Sequence, residues 1–184
     1  MIQRFYNEVF NTQIYEPVIN LGQMGHVLDV GACTGEFSLW IEGQEKKVWA
    51  IEADQEAYEL LEEEAKGHKK IKPVHVAIAG ENKNYKIWGG GIGSKTILGG
   101  QPEGEIVQGK TLATFMKDNN IKKVDCLKID VENAEAQIFD AQDFAEVAKD
   151  IKYIIGEHLV NCTTRLLSQG FTCEPYEYGI IARR

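Results

Sequence analysis

The chain has 184 residues, 43% of them hydrophobic and 26% charged, with a formal net charge of -8. That suits one globular domain, and no apolar run reaches the roughly 18 residues of a membrane span. The acidic balance speaks against a surface that tracks nucleic-acid phosphates, and the first 25 residues lack the apolar stretch of a secretory signal. A cytoplasmic protein with neither a nucleic-acid nor a membrane partner is expected.

Residues 1–25 read as an N-terminal helical segment over the ligand edge of a sheet. Residues 26–30 form a short apolar run that ends at Gly31, a strand. Residues 35–41 read as a helix, with Phe37 and Trp40/Ile41 three and four apart. Residues 47–51 are the second strand. Asp54 can cap the next helix, whose apolar face is Ala57, Leu60, Leu61 and Ala65, and Gly67 ends it. Residues 71–78 are the third strand. Residues 87–109 are rich in glycine, which costs order, so they read as a loop and a candidate substrate lid. Thr111 caps a helix that turns Leu112, Phe115 and Met116 inward. Residues 124–131 are the fourth strand, and Phe144, Val147 and Ala148 mark a helix. Residues 151–156 are the fifth strand, and a helix over 159–168 stops at Gly170. Residues 171–175 and 178–182 look like a closing hairpin.

This alternation predicts one α/β domain built on a doubly wound, mostly parallel sheet. The last connection is too short for a helix, so the final pair must be antiparallel. By analogy of fold, such an arrangement resembles the Rossmann-like, seven-stranded architecture of class I methyltransferases. The four cysteines, Cys33, Cys126, Cys162 and Cys173, form no Cys-x-x-Cys pair and have no histidine cluster beside them. They read as thiols of core or loop, and no metal site is expected.

The strand–glycine–helix unit is the strongest local signal. Gly31 and Gly35 allow a sharp turn and a close ligand approach, and the first N–H groups of the new helix lack internal partners. A dinucleotide would need G-x-G-x-x-G. Here Cys33 stands where a middle glycine might, so a small amino-acid carboxylate fits better than a pyrophosphate. The methionine end of S-adenosylmethionine is such a group. Asp29 then faces the ammonium side, directly or through water. Glu52, ending the second strand, is placed to accept from both ribose hydroxyls. The end of the third strand, around Ala77, should lie beside the adenine.

Four segments then resemble the FkbM-type methyltransferases. They are Val27-Leu28-Asp29-Val30-Gly31-Ala32-Cys33-Thr34-Gly35-Glu36-Phe37-Ser38, Ile51-Glu52-Ala53-Asp54, Ala77-Ile78-Ala79-Gly80, and above all Leu127-Lys128-Ile129-Asp130-Val131-Glu132-Asn133-Ala134-Glu135. Lys152-Tyr153-Ile154-Ile155-Gly156-Glu157-His158 and Gly170-Phe171 continue the likeness. Asn133 stands where that family usually has glycine. The resemblance implies an S-adenosylmethionine-dependent enzyme that methylates hydroxyl oxygens on sugars or other small molecules. It also implies cofactor contacts from Ala32, Glu36, Phe37, Ser38, Ala53 and Asp130.

With the fourth and fifth strands side by side, Asp130 and Glu132 should meet Glu157 and His158 at one edge. His158 is the leading general base, because imidazole exchanges protons near neutral pH. Asp130 would orient cofactor or acceptor. Two other readings stand beside this one: a nucleotide-dependent oxidoreductase, and a binding protein for S-adenosylmethionine without catalysis. A divalent cation on Asp130, Glu157 and His158 is a rival use of the same edge. Neither the acceptor nor the oligomeric state is encoded in a legible motif.

Overall fold

The structure, a computed structural model, describes residues 15, 25–44, 46–88, 95–97, 104–132 and 134–184. The expected N-terminal helical segment therefore lies outside the described residues, apart from Tyr15 and Gly25.

Seven strands form the main sheet: β1 (His26–Val30), β2 (Lys47–Glu52), β3 (Ile71–His75), β8 (Val124–Ile129), β9 (Ile151–Gly156), β10 (Thr172–Tyr176) and β11 (Gly179–Arg183). Their order is β10-β11-β9-β8-β1-β2-β3. All neighbours from β9 to β3 pair in parallel, and β11 is antiparallel to both β9 and β10. The doubly wound sheet with a closing antiparallel hairpin is thus as the sequence indicated.

Two apolar clusters cover its faces. On one face Leu28, Val30, Leu127, Ile129 and Ile154 pack beneath Leu112, Phe115 and Phe144. These last three come from α3 (Leu112–Asp118) and α5 (Phe144–Ala148). On the other, Val27, Val48, Ala50, Cys126 and Ile155 pack beneath Phe37, Trp40, Ile41 and Leu61 of α1 (Glu36–Glu42) and α2 (Gln55–Glu64). Strand residues alternate between these clusters because successive side chains point to opposite faces. Asp54 and Thr111 cap α2 and α3, accepting from the amides of Ala57 and Thr114. The expected helix at 159–168 begins instead as a 3-10 turn (Glu157–Cys162) and becomes α6 (Thr163–Ser168). A further short helix, α4 (Glu135–Phe139), follows β8.

The third strand departs from expectation. It breaks at Val76: β3 stays with β2, while β4 (Ala77–Ile78) pairs in parallel with Gly109–Lys110. The described residues of the glycine-rich stretch and their flanks carry β5 (Asn84–Trp88), β6 (Lys95–Ile97) and β7 (Glu105–Lys110), which join β4 in a second sheet of order β4-β7-β5-β6. Gly109 shows why glycine belongs there. A methyl group at that position would collide with the Tyr85 ring and lie 2.6 Å from the Lys83 carbonyl oxygen. Ala77, Ala79, Tyr85, Ile87 and Val107 make a small third core under this sheet, against which Ala53 packs.

Candidate functional site

The C-terminal ends of β1, β2, β8 and β9 meet at one edge, where open parallel sheets place their ligands. The chain turns there from β1 into α1. Gly31 has φ +77° and Gly35 φ +98°, conformations that L side chains resist. A Cβ on Gly31 would lie 2.8 Å from the Asp130 carbonyl carbon and closer still to its oxygen. The β1 turn therefore rests directly on the end of β8, and the amide of Asp130 donates to the Val30 carbonyl.

The turn's amides are largely used within the protein. Gly31 and Ala32 both donate to the Ile51 carbonyl, Gly35 to Ala32, and Cys33 to Glu52 Oε2 at 2.8 Å. These are amides of the turn, ahead of the helix that begins at Glu36. The amides fasten the turn to the end of β2, because the turn continues the β1–β2 pairing for two more residues. Phe37 is core, with its ring edge-on to Tyr15 at 5.0 Å, and Ala32 is buried beside it. Glu36 is buried and accepts from the Thr34 hydroxyl. Ser38 is buried too, and its hydroxyl donates to Asp29 Oδ2 at 2.7 Å. Of the residues given by resemblance, Phe37 and Ser38 thus support the site from behind.

Glu52 ends β2 with its carboxylate folded over the turn. Oε1 accepts from the amides of Ala53 and Asp54, and Oε2 from Cys33. Burial raises its pKa above the usual carboxylate range, against the pull of those three donors. The His75 ring nitrogen sits 3.0 Å from the Ala53 carbonyl, and the ring stacks on Tyr58. Glu105 of β7 lies 3.9 Å from the same imidazole and accepts from the Gln55 amide. The second sheet is thereby anchored beside Glu52, which no sequence motif announced.

The residue the sequence reading passed over is Lys128. It lies on β8 opposite Asp29 of β1 in register, pointing with Cys126 into the α1–α2 face. Its Nζ donates to the Gly31 carbonyl at 2.9 Å and lies 3.2 Å from Asp29 Oδ1 and 3.8 Å from Asp130 Oδ2. Burial alone would push the ammonium's pKa down; Asp29 and Asp130 more than reverse that and raise it. Asp29 is 0% exposed, and its Oδ1 accepts no hydrogen bond among the described residues. Tyr15, buried close by, has its phenol held in the protonated form chiefly by burial.

Asp130 is half-exposed just past β8. Glu132 follows with φ +52°, a left-handed residue at the same edge, and Asn133 lies outside the described residues. The buried Glu135 accepts from the Val131 amide and closes that loop. Glu157 and His158 are exposed at the start of the 3-10 turn after β9. Among the described residues no three His, Cys, Asp or Glu side chains are grouped to hold a metal ion.

Burial pushes the Cys33 thiol up to about 12 and raises Cys126, Cys162 and Cys173 as well. At pH 8 the native protein is expected to resist iodoacetamide at all four, whereas urea-unfolded chain takes four labels. Mass spectrometry of the two samples checks this; rapid native labelling of Cys33 would contradict its burial.

The residues fit S-adenosylmethionine. Glu52 Oε2 accepts one N–H and keeps a lone pair for a ribose hydroxyl, and Asp29 supplies a carboxylate at the same edge suited to the ammonium of an amino acid. With the strand order above, these features define a class I methyltransferase. The model of the FkbM methyltransferase domain matches residues 29–161, and the chain belongs to that family. It is accordingly an S-adenosylmethionine-dependent methyltransferase, which replaces the oxidoreductase alternative.

No curated protein sequence matches the chain significantly. Solved structures resemble it in fold. Precorrin-6y C5,15-methyltransferase from Geobacter metallireducens GS-15 is 13% identical with TM-score 0.57, covering 96% of this chain and 87% of that one. Fibrillarin from Aeropyrum pernix, with natively bound S-adenosyl-L-methionine, is 11% identical with TM-score 0.56, over 97% and 74%. TrmK from M. capricolum, in complex with S-adenosyl-homocysteine, is 10% identical with TM-score 0.55, over 94% and 65%. No described helix is long and apolar enough to cross a membrane.

Proposed function

We propose that the chain methylates a hydroxyl oxygen on a small molecule or sugar, with His158 as general base and Asp130 orienting cofactor or acceptor. One observation carries this reading. Asp130 follows β8 and His158 follows its hydrogen-bonded parallel neighbour β9, at the edge where Asp130 touches the Gly31 turn. His158 is exposed and can turn toward an acceptor.

Glu52 and Asp29 would hold the ribose and methionine ends, with Gly31, Gly35 and Ala53 shaping the wall and Ala77 packed behind Ala53. Bound there, S-adenosylmethionine supplies an already activated methyl group. The chain's part is to align an acceptor hydroxyl and remove its proton as the oxygen attacks. His158 takes that proton. Among the described residues the edge carries Asp130 and Glu132 as carboxylates, and the Lys128 ammonium there is buried. A neutral hydroxylated acceptor suits that charge better than a phosphate chain.

Methyl-labelled S-adenosylmethionine offered with mixed sugars, polyols and phenols tests the reading. Label is expected in an ether product. Transfer confined to amines or to added RNA would refute it.

A further inference from the structure

We propose that Lys128 is a positioning residue of the cofactor site: it holds the Asp29 carboxylate in place and clamps the Gly31 turn to the Asp130 edge. The inference rests on the reading that Asp29 and the Gly31 turn receive the methionine end of S-adenosylmethionine.

Geometry singles this lysine out. It is buried in the middle of the sheet, between Leu127 and Ile129 of the opposite core face. One ammonium faces three groups from two strand ends: the Gly31 carbonyl at 2.9 Å, Asp29 at 3.2 Å and Asp130 at 3.8 Å. Asp29 is also gripped from α1 by the Ser38 hydroxyl, which fixes Oδ2 and leaves Oδ1 without a hydrogen bond. The ammonium, 3.2 Å away, is Oδ1's charge partner.

A buried ion pair does little for stability that two apolar side chains of similar volume would not do as well. Charge at this point therefore has its use in the site. Without the ammonium, only the Ser38 hydroxyl, among the described residues, would hold the buried Asp29 side chain. The Gly31 carbonyl would also lose its donor, and the turn would be held only from the β2 side.

A double-mutant cycle tests this, reading the affinity of S-adenosylhomocysteine by calorimetry on wild type, Lys128→Met, Asp29→Asn and the double variant. Thermal unfolding confirms that each sample is folded. Lys128→Met is expected to weaken binding about tenfold or more in the wild-type background. In the Asp29→Asn background the same change should cost less, because only its hold on the Gly31 turn remains to be lost. Should Lys128→Met not fold, Lys128→Gln, which keeps a donor for the Gly31 carbonyl, takes its place in the cycle. Unchanged affinity in a folded Lys128 variant, or the same loss in both backgrounds, would overturn the proposal. No binding by wild type, with the fold intact, would overturn the cofactor reading and this inference with it.

Discussion

Replacing Gly31 with alanine is expected to lower stability by about 3 kcal/mol and to abolish binding of S-adenosylhomocysteine. Two costs coincide at this position. The residue has φ +77°, where a side chain is strained whatever the space around it, and the added methyl lands on the Asp130 carbonyl. Neither can relax alone. Opening φ would pull the Gly31 and Ala32 amides off the Ile51 carbonyl, and moving Asp130 would strip its amide from Val30. For a chain of this size the loss corresponds to a melting-temperature drop of roughly 9 °C. Thermal unfolding and calorimetric titration check both halves. Native stability in Gly31→Ala would mean that the close approach of β1 and β8 is not rigid.

The second large effect is on turnover. His158→Ala should reduce the rate of methyl transfer by about a hundredfold or more, as loss of a general base does. Stability should stay within about 0.5 kcal/mol, because the side chain is exposed. S-adenosylhomocysteine affinity should hold as well, since His158 stands on β9's side of the edge and not on the Gly31 turn. The three readings together separate catalysis from binding. If turnover survives in His158→Ala, the proton goes elsewhere, and Asp130 is the next carboxylate to remove. If affinity falls with turnover, His158 touches the cofactor and its assigned role is wrong.

The sheet was legible because its strands are short apolar runs with glycine or a cap at the boundary. Residues 26–30 and 151–156 were delimited as the structure has them, and the neighbouring β8 and β9 bring Asp130 and His158 to one edge. The second sheet was not legible. Glycine was read as absence of order, yet at Gly109 it serves close packing against Tyr85. The break at Val76 was hidden because residues 71–78 are uniformly strand-like, and only pairing with β7 separates them. Lys128 escaped for a different reason. A lysine within an apolar strand reads as a strand-end residue, and two of its three partners lie 97 and 99 positions away. A signal existed: Cys126, Lys128 and Asp130 share one face by alternation, and the parallel strand holds Asp29 on that face in register.

The hairpin has a consequence for how the molecule is made. β11, residues 179–183, is inserted between β9 and β10, so the strand synthesised last of the seven is an interior one. β10 has no other hydrogen-bonded neighbour in that sheet and cannot dock until β11 has emerged from the ribosome. During translation β9 waits as an open, apolar edge, the form in which nascent sheets are most exposed to wrong partners. Gly179 closes that interval. Its Cα lies where a Cβ would strike the Gly156 carbonyl and sit 2.8 Å from the Glu157 Cα. The segment carrying His158 thus receives its final support only when the last strand slots in, and on the role proposed for His158 methyl transfer awaits that step.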